Sequence, residues 1–203
     1  CGSYFYDEEI EASTGRSKYF WPGSSYHISF FAYAPYGESA FTLSSPASKL
    51  GHPEYAYTVP TGVAAQLDVI TASVLDMSGT ATETPVTLTF HHRLAVLRFK
   101  VRNQHPENAL TVKSIAVCGM KYTGTLENDT WKLTGSANTP ASNPFLFTAN
   151  ANVAAGTTVD VTGTSNHFMV LPQTISSGTT FLVVKTTEYG SERTYTYDLD
   201  ANL

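Results

Sequence analysis

The sequence is poor in charge, in long apolar runs and in cysteine, and each shortage removes a class of protein. Of its 203 residues 14% are charged, and the 12 Lys and Arg side chains are scattered. Nucleic-acid binding calls for a clustered basic face, so this scatter and the net charge of −5 argue against it. No apolar stretch approaches the roughly 20 residues that cross a bilayer as a helix. The N-terminus also lacks the basic-then-apolar start of a signal peptide. If the protein is exported, its signal has already been removed from this sequence.

Two cysteines, Cys1 and Cys118, are too few for a disulfide-rich scaffold or a four-cysteine zinc site. Cys118 lies in the apolar segment IAVCGM and reads as a small buried hydrophobe. Cys1 opens the chain as CGS, the start left when a bacterial lipoprotein is cut at its lipidated cysteine. The plain alternative is that the chain simply begins there.

Motifs for catalysis and metal binding are missing too. The six histidines (His27, His52, His91, His92, His105 and His167) show no zinc spacing and no H-E-x-x-H pattern. Adjacent strand residues point to opposite faces, so His91 and His92 are poorly placed to chelate one metal. There is no G-x-S-x-G elbow, and Cys118 has no base or helix signal beside it. The acidic run DEEIE (7–11) lacks the Gly-punctuated spacing of a calcium loop and reads as a solvated edge. With no phosphate-cradling glycine loop either, the sequence is read as a non-enzyme without cofactor or metal.

What the chain does contain is Thr, Ser and aromatics, the last at 12% and including 12 Tyr. No long stretch keeps a 3.6-residue apolar repeat; strand-length segments separated by turn residues recur instead. Such segments are 25–35, 54–60, 67–74, 86–90, 111–119, 130–135, 145–149, 157–163, 167–173, 180–189 and 193–200. Their spacing and the lack of helical crossovers predict antiparallel β-sandwiches. The polar run GSANTPASNP (135–144) reads as an exposed loop. DMSGTATETP (76–85) is the best linker, and divides the chain into an N-terminal domain (1–82) and a C-terminal one (83–203).

The segment FHHRLAVLRFKV (90–101) contains a break in period. Before it Val86, Leu88 and Phe90 form the inward set; after it Ala95, Leu97, Phe99 and Val101 do. A two-residue period cannot change parity without a bulge, a kink or a change of sheet, so HHR marks a structural seam. Among the aromatics, Phe30 and Phe31 are assigned to the core. Tyr19, Trp21 and Tyr36 are candidates for a sugar-stacking platform.

In order along residues 17–200, KYFWPGSSYHISFFAYAPYG, YTVP with QLDVITAS, VTLTFHHRLAVLRFKV, HFMVLPQT, and TFLVVKTTEYG with TYTYDL resemble the fimbrillin-like (Mfa-like, FimA/Mfa-type) proteins of the Bacteroidales. The resemblance implies two transthyretin-like antiparallel β-sandwich domains in tandem, the N-terminal one incomplete in this chain. It also implies export as a lipoprotein to the outer-membrane surface and assembly into fimbriae. In that family subunits join by strand complementation after an arginine-specific protease removes an N-terminal strand. Phe90, His92, Leu94 and Ala95 match the family's F-x-H-x-L-A segment, which opens the C-terminal domain. His92 is therefore expected near the core and hydrogen-bonded, with His91 and Arg93 facing out. Arg16, in TGRSK, is off the family's maturation position and reads as an exposed loop residue. The pattern departs from the family at both ends, so the chain reads as a fragment.

The partners implied are other fimbrial subunits and host or bacterial surface glycans or proteins, with membrane contact only through a lipid anchor on the precursor. The alternative is a monomeric cell-surface glycan-binding β-sandwich module using Tyr19, Trp21 and Tyr36.

Overall fold

The computed structural model describes residues 5–10, 21–46, 51–78, 86–163 and 166–200. Among these residues the only helical element is a 3-10 turn at Val63–Ala65. The strands of the first half are β1 (His27–Ala34), β2 (Phe41–Leu43), β3 (Tyr55–Thr58), β4 (Ile70–Ser78) and β5 (His91–His92). There follow β6 (Ala95–Leu97), β7 (Lys100–Arg102), β8 (Leu110–Val117), β9 (Thr123–Glu127) and β10 (Thr130–Thr134). The last are β11 (Phe145–Val153), β12 (Thr158–Asp160), β13 (Phe168–Val170), β14 (Thr180–Glu188) and β15 (Ser191–Asp198). The expected all-β class holds, and every ladder between these strands is antiparallel.

Three sheets carry most of the strands, in the orders β1-β4-β5, β10-β9-β3-β2 and β11-β8-β14-β15, with the pairs β12-β7 and β13-β6 beside them. The second sheet joins strands from both sides of the anticipated boundary at 82/83, because Tyr55–Thr58 pair with Thr123–Leu126. One apolar cluster also spans that boundary, taking in Phe41, Tyr57 and Val69 together with Ile115, Phe145 and Phe168. Each such side chain withdrawn from water contributes about 1.5–3 kcal/mol before the entropy of ordering it.

Alternation accounts for the local choice of structure. Tyr55, Tyr57 and Val59 are buried while Thr58 is exposed, so one face of β3 closes the core. Two strands, β2 and β9, fall where the pattern suggested none. β9 reads Thr-Gly-Thr-Leu-Glu, with one large apolar residue to mark it. It is held by β3 on one side and β10 on the other, and Asn128 and Asp129 close the β9–β10 hairpin with φ of 46° and 64°. That left-handed pair is the signature of a two-residue type I′ turn, in which Asn and Asp are tolerated.

Residues 135–144 are not wholly exposed as expected. Asn138 is 3% exposed; its amide donates to the carbonyls of Val117 and Asn143, and its oxygen accepts from Met120 N–H. A buried amide satisfied on both sides plugs the loop into the core end of β8.

At the seam, Val86 and Leu88 are half-buried with Thr87 and Thr89 exposed, and Ala95, Leu97, Phe99 and Val101 are half-buried beyond it. His91 and His92 pair with Thr71 and Ile70 of β4, whereas Ala95–Leu97 pair with Val170–Phe168 of β13. The change of parity coincides with the passage from one sheet to another. Three local expectations are corrected. Phe90 is 42% exposed and not inward. His92 is hydrogen-bonded, Nδ1 lying 2.9 Å from Asp68 Oδ1, but its side chain is 73% exposed and away from the core. Arg93 turns in, with its side chain 15% exposed. Its guanidinium can leave water because it finds Asp129 and Thr71, a neutralising and hydrogen-bonded setting.

Candidate functional site

The third sheet has one face against the core, and the cover over that face thins from one edge to the other. Phe145, Val117, Leu182 and Tyr197 form one row across it, and Phe147, Ile115, Val184 and Tyr195 the next. Side chains in register on adjacent strands share a face. Val117 and Ile115 are 0% exposed and Val184 7%, yet Tyr195 is 37% exposed and Tyr197 53%. The core face thus continues onto β15 with aromatic residues, which the described residues of the opposing layer leave exposed.

All of β15 is exposed on both faces, and among the described residues it is paired on one side only, by β14. Its outer backbone donors and acceptors are a template for a further strand. One end of the same face is polar: Tyr195 donates to both oxygens of Glu188 at 2.9 and 3.0 Å, and Arg193 lies 3.4 Å from that carboxylate. The hydrogen bond to Glu188 raises the Tyr195 hydroxyl pKa, with burial and the same negative charge adding to it and Arg193 opposing it. The edge therefore offers an aromatic half and a charge-compensated half.

The other candidate residues lie elsewhere. Cys1 and Tyr19, like Arg16, fall outside the described residues. Trp21 packs its ring 6.0 Å from that of Phe30, and its indole nitrogen is buried with no hydrogen-bond partner among the described residues. Tyr36 is exposed, its ring 6.0 Å from Tyr33, and its hydroxyl donates to the Asp7 carbonyl at 3.0 Å. Phe30 and Tyr33 are three residues apart on a regular stretch of β1 and point to opposite faces. Trp21 and Tyr36 are consequently not gathered into one platform. At the seam, Leu94 and Ala95 are half-buried and pack against the core, while Phe90 and His92 remain exposed.

Tyr195 and Tyr197 were absent from the sequence-based candidates. Strict alternation in TYTYD looks the same whether the inward face is covered or open, so only the fold could single them out. Among the described residues no group of three or more His, Cys, Asp or Glu could hold a metal ion. No helix there is long and apolar enough to cross a membrane.

Fold and site together define an all-β protein of antiparallel sheets in which β15, exposed along its length, is paired on one side only among the described residues. The chain belongs to the fimbrillin-like family, whose model matches residues 3–203. No curated protein matches it. Among solved structures it is similar, at 17% identity and a TM-score of 0.44, to a crystal structure from Bacteroides ovatus provisionally described as a cell adhesion protein. The match covers 86% of this chain, and the chain spans only 58% of that one.

Proposed function

We propose that the chain is a fimbrial subunit or fimbria-associated adhesin of the bacterial outer surface, joined to neighbouring subunits by β-strand complementation. The family supports the general role, and the uncovered edge at β15 is the observation that carries the mechanism. An incoming strand would complete the backbone ladder and lay alternate apolar side chains over Tyr195 and Tyr197. Each large side chain so covered adds about 1.5–3 kcal/mol, offset by the freedom lost on ordering the strand. No active site is needed for such a role.

In this reading the precursor is exported as a lipoprotein and touches the outer membrane through its lipid anchor, with residues 90–95 leading into the C-terminal part (83–203). The monomeric glycan-binding reading draws less support, because Trp21 and Tyr36 pack against opposite faces of β1.

The test uses the full-length protein after limited trypsin treatment, run on denaturant-resistant electrophoresis. Ladders of oligomers are expected from the parent, and only monomer from Tyr195→Lys/Tyr197→Lys. A parent that stays monomeric sinks the pilin reading; ladders from the double variant would move the joint away from β15.

A further inference from the structure

β11 and β15 are the outer strands of the third sheet among the described residues, and only β15 is regular from end to end. On β11, the Leu146 N–H donates to the Thr61 carbonyl, and the ladder with β8 slips between Thr148 and Ala151, where Asn150 has φ of 46°. A bulge and a capping loop of this kind blunt an edge against further pairing. β15 runs for eight residues without proline, glycine or bulge, because the register shift beside it places the extra residue, Phe181, on β14.

The end of the strand shows which way its backbone groups point. Leu199 N–H donates to the Thr179 carbonyl at 3.0 Å, and the Leu199 carbonyl accepts from Gly178 N–H at 2.8 Å. Both bonds of Leu199 thus run toward the β14 side. Backbone groups alternate in direction along a strand, so Tyr197, Tyr195 and Arg193 bond to β14 as well. Glu192, Thr194, Thr196 and Asp198 turn their N–H and C=O groups outward. The side chains divide in the same way, with Arg193, Tyr195 and Tyr197 on the core face and the other four opposite. In a ladder added here, Arg193, Tyr195 and Tyr197 occupy the non-hydrogen-bonded positions, where facing Cα atoms approach to about 4.5 Å and side chains meet.

We propose that this edge pairs with the same edge of a second copy of the chain, in an antiparallel two-fold dimer centred on Thr194. In that register Thr194 faces the partner's Thr194, Glu192 the partner's Thr196, Arg193 the partner's Tyr195, and Ser191 the partner's Tyr197. Threonine opposite threonine and a guanidinium over a phenol ring are favourable cross-strand pairs. The neighbouring registers are poorer. Centring on Tyr195 sets Glu192 directly against the partner's Asp198 on both sides of the axis, whereas the Thr194 register moves these carboxylates to diagonal positions. Centring on Arg193 opposes two guanidinium groups. Centring on Thr196 pairs only residues 194–198 of β15, against 191–197 in the Thr194 register. A strand-on-strand contact is small, so the dimer dissociates readily. It is also isologous and closes on itself, which shields the edge from open-ended strand addition. The pairing shares its edge with the fimbrial reading but needs neither proteolysis nor a donated strand.

Disulfide trapping in a Cys1→Ser background reads the register directly, and Cys118 is 0% exposed and does not compete. Facing residues of a hydrogen-bonded pair have Cα atoms about 5.5 Å apart, within reach of a disulfide. Thr194→Cys should therefore oxidise to a dimer about tenfold or more faster than Thr196→Cys, which faces the partner's Glu192 instead. Sedimentation of the parent without protease, over a concentration series, should show a monomer–dimer equilibrium. Thr194→Lys sets two ammonium groups face to face and should weaken that equilibrium by about tenfold or more. A parent that is monomeric at every concentration, equal trapping at the two positions, or an undiminished dimer in Thr194→Lys would overturn the proposal. The ladders formed after trypsin treatment read fimbrial assembly separately. Dimers without ladders leave the pairing standing and sink the pilin reading, and ladders from a parent that never dimerises do the reverse.

Discussion

The indole N–H of Trp131 donates to the backbone carbonyl of Arg93 at 2.6 Å. This bond joins the β9–β10 hairpin to the point where the chain leaves β5 for β6. The Arg93 guanidinium adds two more ties, to Asp129 at the hairpin tip and to Thr71 on β4, both at 2.5 Å. One residue thus fastens two of the three main sheets at the seam, and Trp131 also lies 6.2 Å from Tyr57 of the core.

Two variants should separate the contribution of the indole from that of the guanidinium. Trp131→Phe keeps most of the ring packing and loses only the donor, with an expected cost of about 1 kcal/mol. Arg93→Met leaves Thr71 and Asp129 without their partner and should cost about 1–3 kcal/mol. Urea unfolding followed by fluorescence gives both values. No loss in Arg93→Met would show that the seam does not depend on this contact.

The two faces of β15 should respond differently to charge. Tyr195 and Tyr197 continue the core face, whereas Thr194 and Thr196 point the other way. Lysine at either tyrosine should impair oligomer formation, and lysine at either threonine should be better tolerated. All four positions are exposed, so monomer stability should move by no more than about 0.5 kcal/mol for most of them. Equal effects from both faces, read on the same ladders, would show that the aromatic face is not what an incoming strand covers.

Asp160 should remain ionised below the usual carboxylate range. Desolvation pushes its pKa up, but the Thr162 hydroxyl, the Gly163 N–H and Arg98 together outweigh it. A depressed carboxyl stabilises the fold at pH values above the unfolded side chain's own pKa. That contribution disappears as pH falls through the folded value. Carboxyl-carbon NMR titration should show the depression in the parent and a partial return toward the ordinary value in Arg98→Gln. An identical titration in the two proteins would remove Arg98 from the explanation.

Asn138→Ala should destabilise the fold although it lies in a loop of polar sequence. The change strands Met120 N–H and the Val117 carbonyl in a buried site, for an expected loss of about 1–3 kcal/mol. Thermal unfolding of the variant checks this. A neutral result would mean that water replaces the amide.

Much of the fold was legible because strand formation leaves a local, two-residue record. The segments around Tyr55–Val59 and Val86–Phe90 declare themselves by alternation, Leu110–Val117 and Thr180–Glu188 by short strand-length apolar runs, and the parity count over residues 86–101 located a seam that proves to be a change of sheet. Composition likewise excluded the basic faces, long apolar spans and metal motifs on which other readings would rest. Which strands pair, and what covers each face, depends on contacts far apart in sequence and leaves no such record. Tyr57 meets Gly124 across the anticipated boundary, Arg93 is drawn inward by Asp129, and Asn138 is buried by the strand end it caps. Tyr195 and Val184 sit side by side on one face with the same alternation around them. Only tertiary packing among the described residues leaves the first open and the second buried.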